Sequence, residues 1–189
     1  MKRGELLPAE RLSDKTHYNT SSVMMIGEWK QRIMETIAMD NELSKLLWYN
    51  SEDALSREDL TEAQKYELVD SDSNNRRIYP TRYNPNVVMD QQSFIGMGIA
   101  GFAPQEIHYQ YSDTYVIGYL YFYILVDNKI MDIDEGQRQD KILERIYDLF
   151  SDSRSYGMGE LRIGGLSEEW EQNNKFGGYT LMMRIYDFK

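Results

Sequence analysis

The stretch Tyr115-Val116-Ile117-Gly118-Tyr119-Leu120-Tyr121-Phe122-Tyr123-Ile124-Leu125-Val126 decides how the rest of the chain is read. Val116, Leu120, Phe122, Ile124 and Val126 fall on one side, and Tyr115, Tyr119, Tyr121 and Tyr123 on the other. A period of two belongs to an extended chain, and β-branched and aromatic residues suit a pleated, half-buried surface. The run is too short to cross a bilayer as a helix. It predicts a central strand with two unlike faces. The tyrosine row reads either as a half-exposed sheet face or as an interface, because Tyr buries a large rigid surface at low entropy cost while its hydroxyl keeps a partner.

Helical spacing flanks this strand on both sides. Asp134 or Glu135 leads into a helix from about Gly136 to Phe150, with Ile142, Ile146, Leu149 and Phe150 as an apolar stripe that should lie on the sheet. Upstream, Ser21 or Ser22 can cap a helix whose Ile26, Trp29, Ile33 and Ile37 share one face. Asp40 or Asn41 can cap a second one carrying Leu43, Leu46 and Leu47. Residues 50–77 are polar and acidic, with capping-box spacing at Thr61-Glu62-Ala63-Gln64 and apolar cover from Tyr66 and Leu68, and read as a surface insertion holding one helix. Pro80 and Pro85 make Ile78 to Met89 an edge strand or a loop. Two strands close the chain, Glu160 to Ile163 and Tyr179 to Phe188, joined by an acidic excursion around Trp170 and Gly177-Gly178. The expected fold is α+β: an antiparallel β-sheet with helices packed on one face, an N-terminal arm over residues 1–20, and a single domain over 21–189 that includes the 50–77 insertion.

Composition narrows the function classes. The chain has 189 residues, 31 acidic and 21 basic, a net charge of −10, and no cysteine. Disulfides, thiolate metal sites and cysteine nucleophiles are excluded, and an acidic chain is poorly suited to gripping phosphate. The N-terminal residues lack the apolar stretch of a secretory signal, and no membrane span is expected.

Three motifs invite a chemical reading. Gly96-Met97-Gly98-Ile99-Ala100-Gly101 satisfies G-x-G-x-x-G, but that fingerprint needs a helix directly after it, and Phe102-Ala103-Pro104 intervenes. The alternative is a glycine-hinged mobile loop presenting Phe94, Ile95, Met97 and Phe102 for docking. Asp70-Ser71-Asp72-Ser73-Asn74 opens like a calcium loop, yet Asn75 stands where Gly is needed and Thr81 where Glu is needed, which favours a solvated turn. Asp127, Asp132, Asp134 and Glu135 could hold magnesium in a nuclease or phosphohydrolase, although Lys129 is the only basic residue near them; their plainer role is at a hairpin end and a helix N-terminus. His17 and His108 are far apart and sit in no recognisable triad context.

The run from Tyr115-Val116-Ile117-Gly118 through Arg138 to Phe150, then Gly157-Met158-Gly159-Glu160-Leu161 and Tyr179 to Phe188, resembles the tail-terminator and neck proteins of tailed bacteriophages. Leu46-Leu47-Trp48-Tyr49 leading into Asp53 to Thr61 is similar to the N-terminal part of such virion neck sequences, so that the likeness spans most of residues 23 to 188. The resemblance implies a non-enzymatic structural protein with no cofactor, forming a homo-oligomeric ring, hexameric or dodecameric. It implies a place in the virion, assembled in the host cytoplasm, between tail-tube and head-connector proteins, with DNA passing through and not specifically bound. On this reading Phe94, Met97, Phe102, Tyr115, Tyr119, Tyr121 and Tyr123 are the candidate interface, and Asp132, Asp134 and Glu135 the candidate acidic residues facing the lumen. The alternatives are the metal-dependent enzyme above and a host-directed adaptor that binds through the Gly96 to Gly101 loop.

Overall fold

The alternating run forms the middle strand of a five-stranded sheet in a computed structural model, which describes residues 25–82, 91–104, 115–156, 159–171 and 175–188. In chain order the strands are β1 (Ile78–Tyr79), β2 (Ser93–Pro104), β3 (Tyr115–Asp127), β6 (Glu160–Glu171) and β7 (Phe176–Phe188), arranged β1-β2-β3-β7-β6. All neighbours are antiparallel except β1, which runs parallel to β2. A small hairpin, β4 (Asp132–Ile133) with β5 (Gly136–Gln137), lies between β3 and the helix that follows.

Alternation along β3 divides the molecule. Leu120, Phe122, Ile124 and Val126 are fully buried on one face. In register, Phe122 stands between Met97 of β2 and Leu181 of β7, and Leu120 lies beside Met183. Helices cover this face: α1 (residues 25–39) contributes Trp29, Ile33 and Ile37, α2 (Asn41–Trp48) contributes Leu43, Leu46 and Leu47, and α4 (Arg138–Phe150) contributes Ile142, Ile146 and Phe150. The rings of Phe150 and Phe122 meet with centroids 5.1 Å apart. Each such side chain taken from water contributes roughly 1.5–3 kcal/mol, which is why the helical stripes and the strand alternation converge on one core.

Polar ties fix how the helices sit. Asp40 caps α2 through Oδ1, which accepts the Leu43 N–H at 3.0 Å, while its Oδ2 accepts Arg145 of α4 at 2.7 Å. That carboxylate holds the Arg145 guanidinium above its usual pKa. Tyr179 of β7 donates to Asp140 of α4 at 2.8 Å, locking the helix over the sheet. Arg138, the first residue of α4, is fully buried and donates to four backbone carbonyls: Ile130 at 2.8 Å, Leu46 at 2.9 Å, Tyr49 at 2.6 Å and Ser51 at 2.8 Å. Burial pushes its pKa down to about 10, so it remains cationic at neutral pH, and two of its acceptors are among the orphan carbonyls ending α2.

The structure confirms the α+β class and revises several boundaries. The capping box at Thr61 and Gln64 is present on α3 (Glu62–Glu67). Yet residues 50–77 are not a mere surface insertion, because Ala54, Leu60 and Leu68 are buried, the last two in the main core, while Tyr66 is exposed. Helix α4 starts at Arg138, two residues later than expected, because Gly136 and Gln137 are used to pair with β4. Asp134 and Glu135 therefore stand outside its first turn, where Asp140 is the acidic residue. The acidic excursion around Trp170 is also overturned: β6 and β7 form one long hairpin in which Trp170 pairs with Gly177 and Glu169 with Gly178. A β-bulge between Ile163 and Gly165 is the reason, since one extra residue shifts the side-chain alternation mid-strand and hides the period of two. The N-terminal arm and the helix start near Ser21 lie outside the described residues, as do His17 and His108.

Two measurements check these ties. Arg138→Met leaves four buried or partly buried carbonyls without their donor and should lower the unfolding free energy in urea by about 3 kcal/mol or more; Arg138→Lys, lacking the planar fork, should recover only part of it. The hydrogen bond to Asp140, helped by burial, raises the Tyr179 pKa to about 12. A pKa above the unfolded value means stability fully present below pH ~10 and lost as pH rises through ~12. Alkaline absorbance titration of Tyr179→Phe should therefore lack a tyrosinate step near pH 12 that the parent shows.

Candidate functional site

Opposite the helices, the second face of the sheet is built from the other half of the alternation. Tyr119, Tyr121 and Tyr123 stand in a half-buried row on β3. The rings of Tyr121 and Tyr123 stack with centroids 6.1 Å apart and planes 8° from parallel, and Tyr119 follows at 6.4 Å with a 48° tilt. Register places Arg184, Met182 and Thr180 of β7 beside Tyr119, Tyr121 and Tyr123. The Arg184 guanidinium lies 6.0 Å from the Tyr119 ring centre, and that of Arg82 lies 4.9 Å from the Tyr123 ring centre. Arg82 also pairs with Glu169 of β6 at 3.1 Å, so cationic and acidic groups frame the row. Near Leu125 the face closes into a small second cluster of Tyr79, Phe94, Leu125 and Phe176.

The glycine motif finds its explanation on this face. Residues 96 and 98 of β2 stand opposite Tyr123 and Tyr121. A Cβ at Gly98 would come within 3.2 Å of the Tyr123 ring, and one at Gly101 within 2.9 Å of the Tyr119 ring. At Gly96 it would strike the Thr81 carbonyl oxygen at 2.7 Å, where the chain crosses the sheet. Only Gly101, with φ +67° beside the bulge between Ala100 and Ala103, is there for backbone conformation as well. G-x-G-x-x-G is thus a strand that makes room for tyrosine rings and a crossing chain, and the expectation of a glycine-hinged docking loop is overturned.

That finding sorts the candidate interface residues. Met97 is fully buried in the main core and Phe94 is buried in the second cluster, so neither is available to a partner; both are consumed by β2 being a strand. Tyr119, Tyr121 and Tyr123 are brought together as one surface. Phe102 and Tyr115 fall at the outer ends of β2 and β3, with side chains outside the described residues.

The four acidic candidates are not brought into one centre. Asp127 is buried at the end of β3, where its Oδ1 accepts the Lys129 N–H at 3.0 Å and its Oδ2 lies 3.8 Å from the Lys175 ammonium. Asp132 accepts a bond from Gln137 at 2.5 Å across the β4–β5 hairpin, and Asp134 and Glu135 are exposed at its tip. Among the described residues no group of three or more potential ligands converges as a metal would require. Asp70 and Ser73 turn their side chains onto the backbone N–H of Asp72 at 3.1 Å and of Asn75 at 3.0 Å, the arrangement of a polar turn.

Sequence reasoning missed a second surface. Edge strand β6 exposes Ile163, Leu166 and Trp170 to 53%, 51% and 55%. Their register partners Met183, Leu181 and Gly177 show that all three lie on the helix-bearing face, beyond the reach of α4. Leu161, one step earlier, is still fully buried. The available signal was the doubled glycine in Leu161-Arg162-Ile163-Gly164-Gly165-Leu166, which marks a bulge inside a strand.

Compared with known families, the chain matches the sequence model of the family described as YomW over residues 40–185. No curated protein matches it. The match begins at the cap of α2 and takes in the whole described sheet up to Ile185.

The glycine assignment makes a direct test possible. Gly96→Ala should destabilise the protein by ~1–3 kcal/mol in thermal or urea unfolding, because the obstructing atom is backbone. A dinucleotide-site reading predicts instead a loss of nucleotide binding from a parent that binds it.

Proposed function

We propose that this chain, which belongs to the YomW family, is a structural subunit that assembles with copies of itself into a ring, and that the ring sits at the neck of a tailed bacteriophage. The observation that carries assembly is the tyrosine face. Three rings, two of them stacked, lie half open on a sheet with no helix over that side among the described residues. Large rigid aromatics with adjacent guanidiniums are the composition of protein interfaces, and a contiguous surface of this kind on a folded monomer marks a partner site. The exposed apolar row of β6 adds a second surface of the same character.

The neck assignment rests on the likeness to tail-terminator and neck sequences, and the chemistry is compatible with it. A net charge of −10 suits a subunit beside a DNA channel, since carboxylates repel phosphate and leave the passing duplex unbound. The exposed carboxylates Asp132, Asp134 and Glu135 on one small hairpin would supply such a lining. Among the described residues no helix is long and apolar enough to cross a membrane.

Light scattering coupled to size exclusion, on the purified chain alone and mixed with tail-tube or connector protein, tests the reading. A discrete multimer in either sample is the expected result. A monomer that stays monomeric at high concentration and ignores both partners overturns it.

A further inference from the structure

The edge strand β6 and the strand β2, which β1 covers at only two residues, differ in a way that assigns them to each other. β6 is an edge over 12 residues, and its sequence Glu160-Leu161-Arg162-Ile163-Gly164-Gly165-Leu166-Ser167-Glu168-Glu169-Trp170-Glu171 holds four carboxylates and one guanidinium. β2 is also 12 residues long and, from Ser93 to Pro104, carries no charged residue. Strand β1 pairs with it only at Ile95 and Gly96, and among the described residues nothing pairs with its outer side beyond that point. Ala100 and Gly101 on this stretch are exposed.

Proteins shield edges of this length with charge, proline, strong bulges or a covering element, because the unpaired N–H and C=O groups recruit another strand. Neither edge is fully shielded here. On β6 the charges share the strand with Ile163, Leu166 and Trp170, each more than half exposed. On β2 the only proline is the terminal Pro104.

Building on the ring reading above, we propose that β6 is the seam on which a second copy docks, taking the charge-free outer edge of the neighbour's β2 in antiparallel pairing, so that the sheet continues from subunit to subunit. Direction supports this pairing. The order β2-β3-β7-β6 alternates strictly, so β6 of one copy and β2 of the next meet antiparallel while both helical layers stay on the same side. Ile163, Leu166 and Trp170 then continue onto the face of β2 that carries Ile99, an apolar residue only partly buried within its own copy.

Charge decides against the two-fold alternative. A β6–β6 pairing would align four carboxylates and one guanidinium per copy against the same set, and like charges on facing strands destabilise. The neutral β2 edge imposes no such repulsion. A contact between two different edges is heterologous, and a heterologous contact whose rotation closes gives a ring.

The absence of native cysteine gives a clean experiment. Leu166→Cys and Ile99→Cys, which share the helix-bearing face, are made separately and treated with a short bis-maleimide. A cross-linked dimer from the mixture, with none from Leu166→Cys alone, is expected; a dimer from Leu166→Cys alone overturns the pairing in favour of the two-fold one. In parallel, Leu166→Lys, at a half-exposed position where circular dichroism should show an unchanged fold, should shift the multimer to monomer in light scattering. A multimer that persists in Leu166→Lys, with no cross-link in the mixture, overturns the seam and leaves the ring reading standing. A parent chain that is monomeric alone and with tail-tube or connector protein overturns both.

Discussion

One buried cation holds the helical layer in place. The Arg138 guanidinium has no carboxylate partner among the described residues, and its charge is compensated by four carbonyl dipoles drawn from three separate segments. Those segments are the end of α2, the turn at residues 49–51, and the turn that leaves β3. Removing a cation from water costs several kcal/mol, which four short hydrogen bonds in fixed geometry can offset only if every acceptor is correctly placed. The side chain therefore acts as a constraint on shape. Where α2 stops, where β3 turns and where α4 begins are all set by the reach of one fork, and the Arg138 N–H adds a further bond to Met131 at 2.7 Å.

With the helices fixed over one face, β3 distributes everything else. Its aliphatic half and Phe122 close the core against α1, α2 and α4, while its tyrosine half is left to a face that β2 must accommodate. Accommodation is why β2 carries glycine where β3 carries tyrosine. Rings leaning across from Tyr123 and Tyr119 occupy the space of missing side chains at Gly98 and Gly101, so the row lies flat and stacked. A bulkier β2 would stand the rings up into solvent and break the surface that the proposed assembly uses.

The strongest periodic segments were legible in the sequence because packing obeyed them. The alternation of β3, the stripes at Trp29, Ile33 and Ile37 and at Ile142, Ile146 and Phe150, the Asp40 cap and the Thr61 capping box all stand where local chemistry puts them. Less legible was anything that local patterning contradicts. The bulge in β6 shifts the period of two and so disguises half of that strand as a loop, while the glycines of β2 disguise it as a hinge. Leu60 and Leu68 sit in a polar stretch, and only tertiary contact reveals that they are core. Arg138 reads as one more charge on an amphipathic helix, since its four acceptors lie up to 92 residues away. Of the candidate site, the tyrosine row was legible from alternation, whereas Phe94 and Met97 were misplaced because their glycine neighbours suggested a hinge.

Bulges also bear on how the surface can work. A bulge deepens the local twist and bends the strand, and β2 has one between Ala100 and Ala103 and β6 one between Ile163 and Gly165. A flat sheet extended edge to edge would run on as a ribbon, but a sheet bent at β2 and β6 turns by a fixed angle at every junction. Curvature of that kind is what a closed ring requires of its repeating contact, and an open filament follows when the angle fails to close. Gly101, with φ +67°, allows the bend in β2, and Gly164 and Gly165 leave room for the Met182 side chain at the bend in β6, so the residues that hide the strands from a sequence reading are the ones that would set the curvature of the assembly.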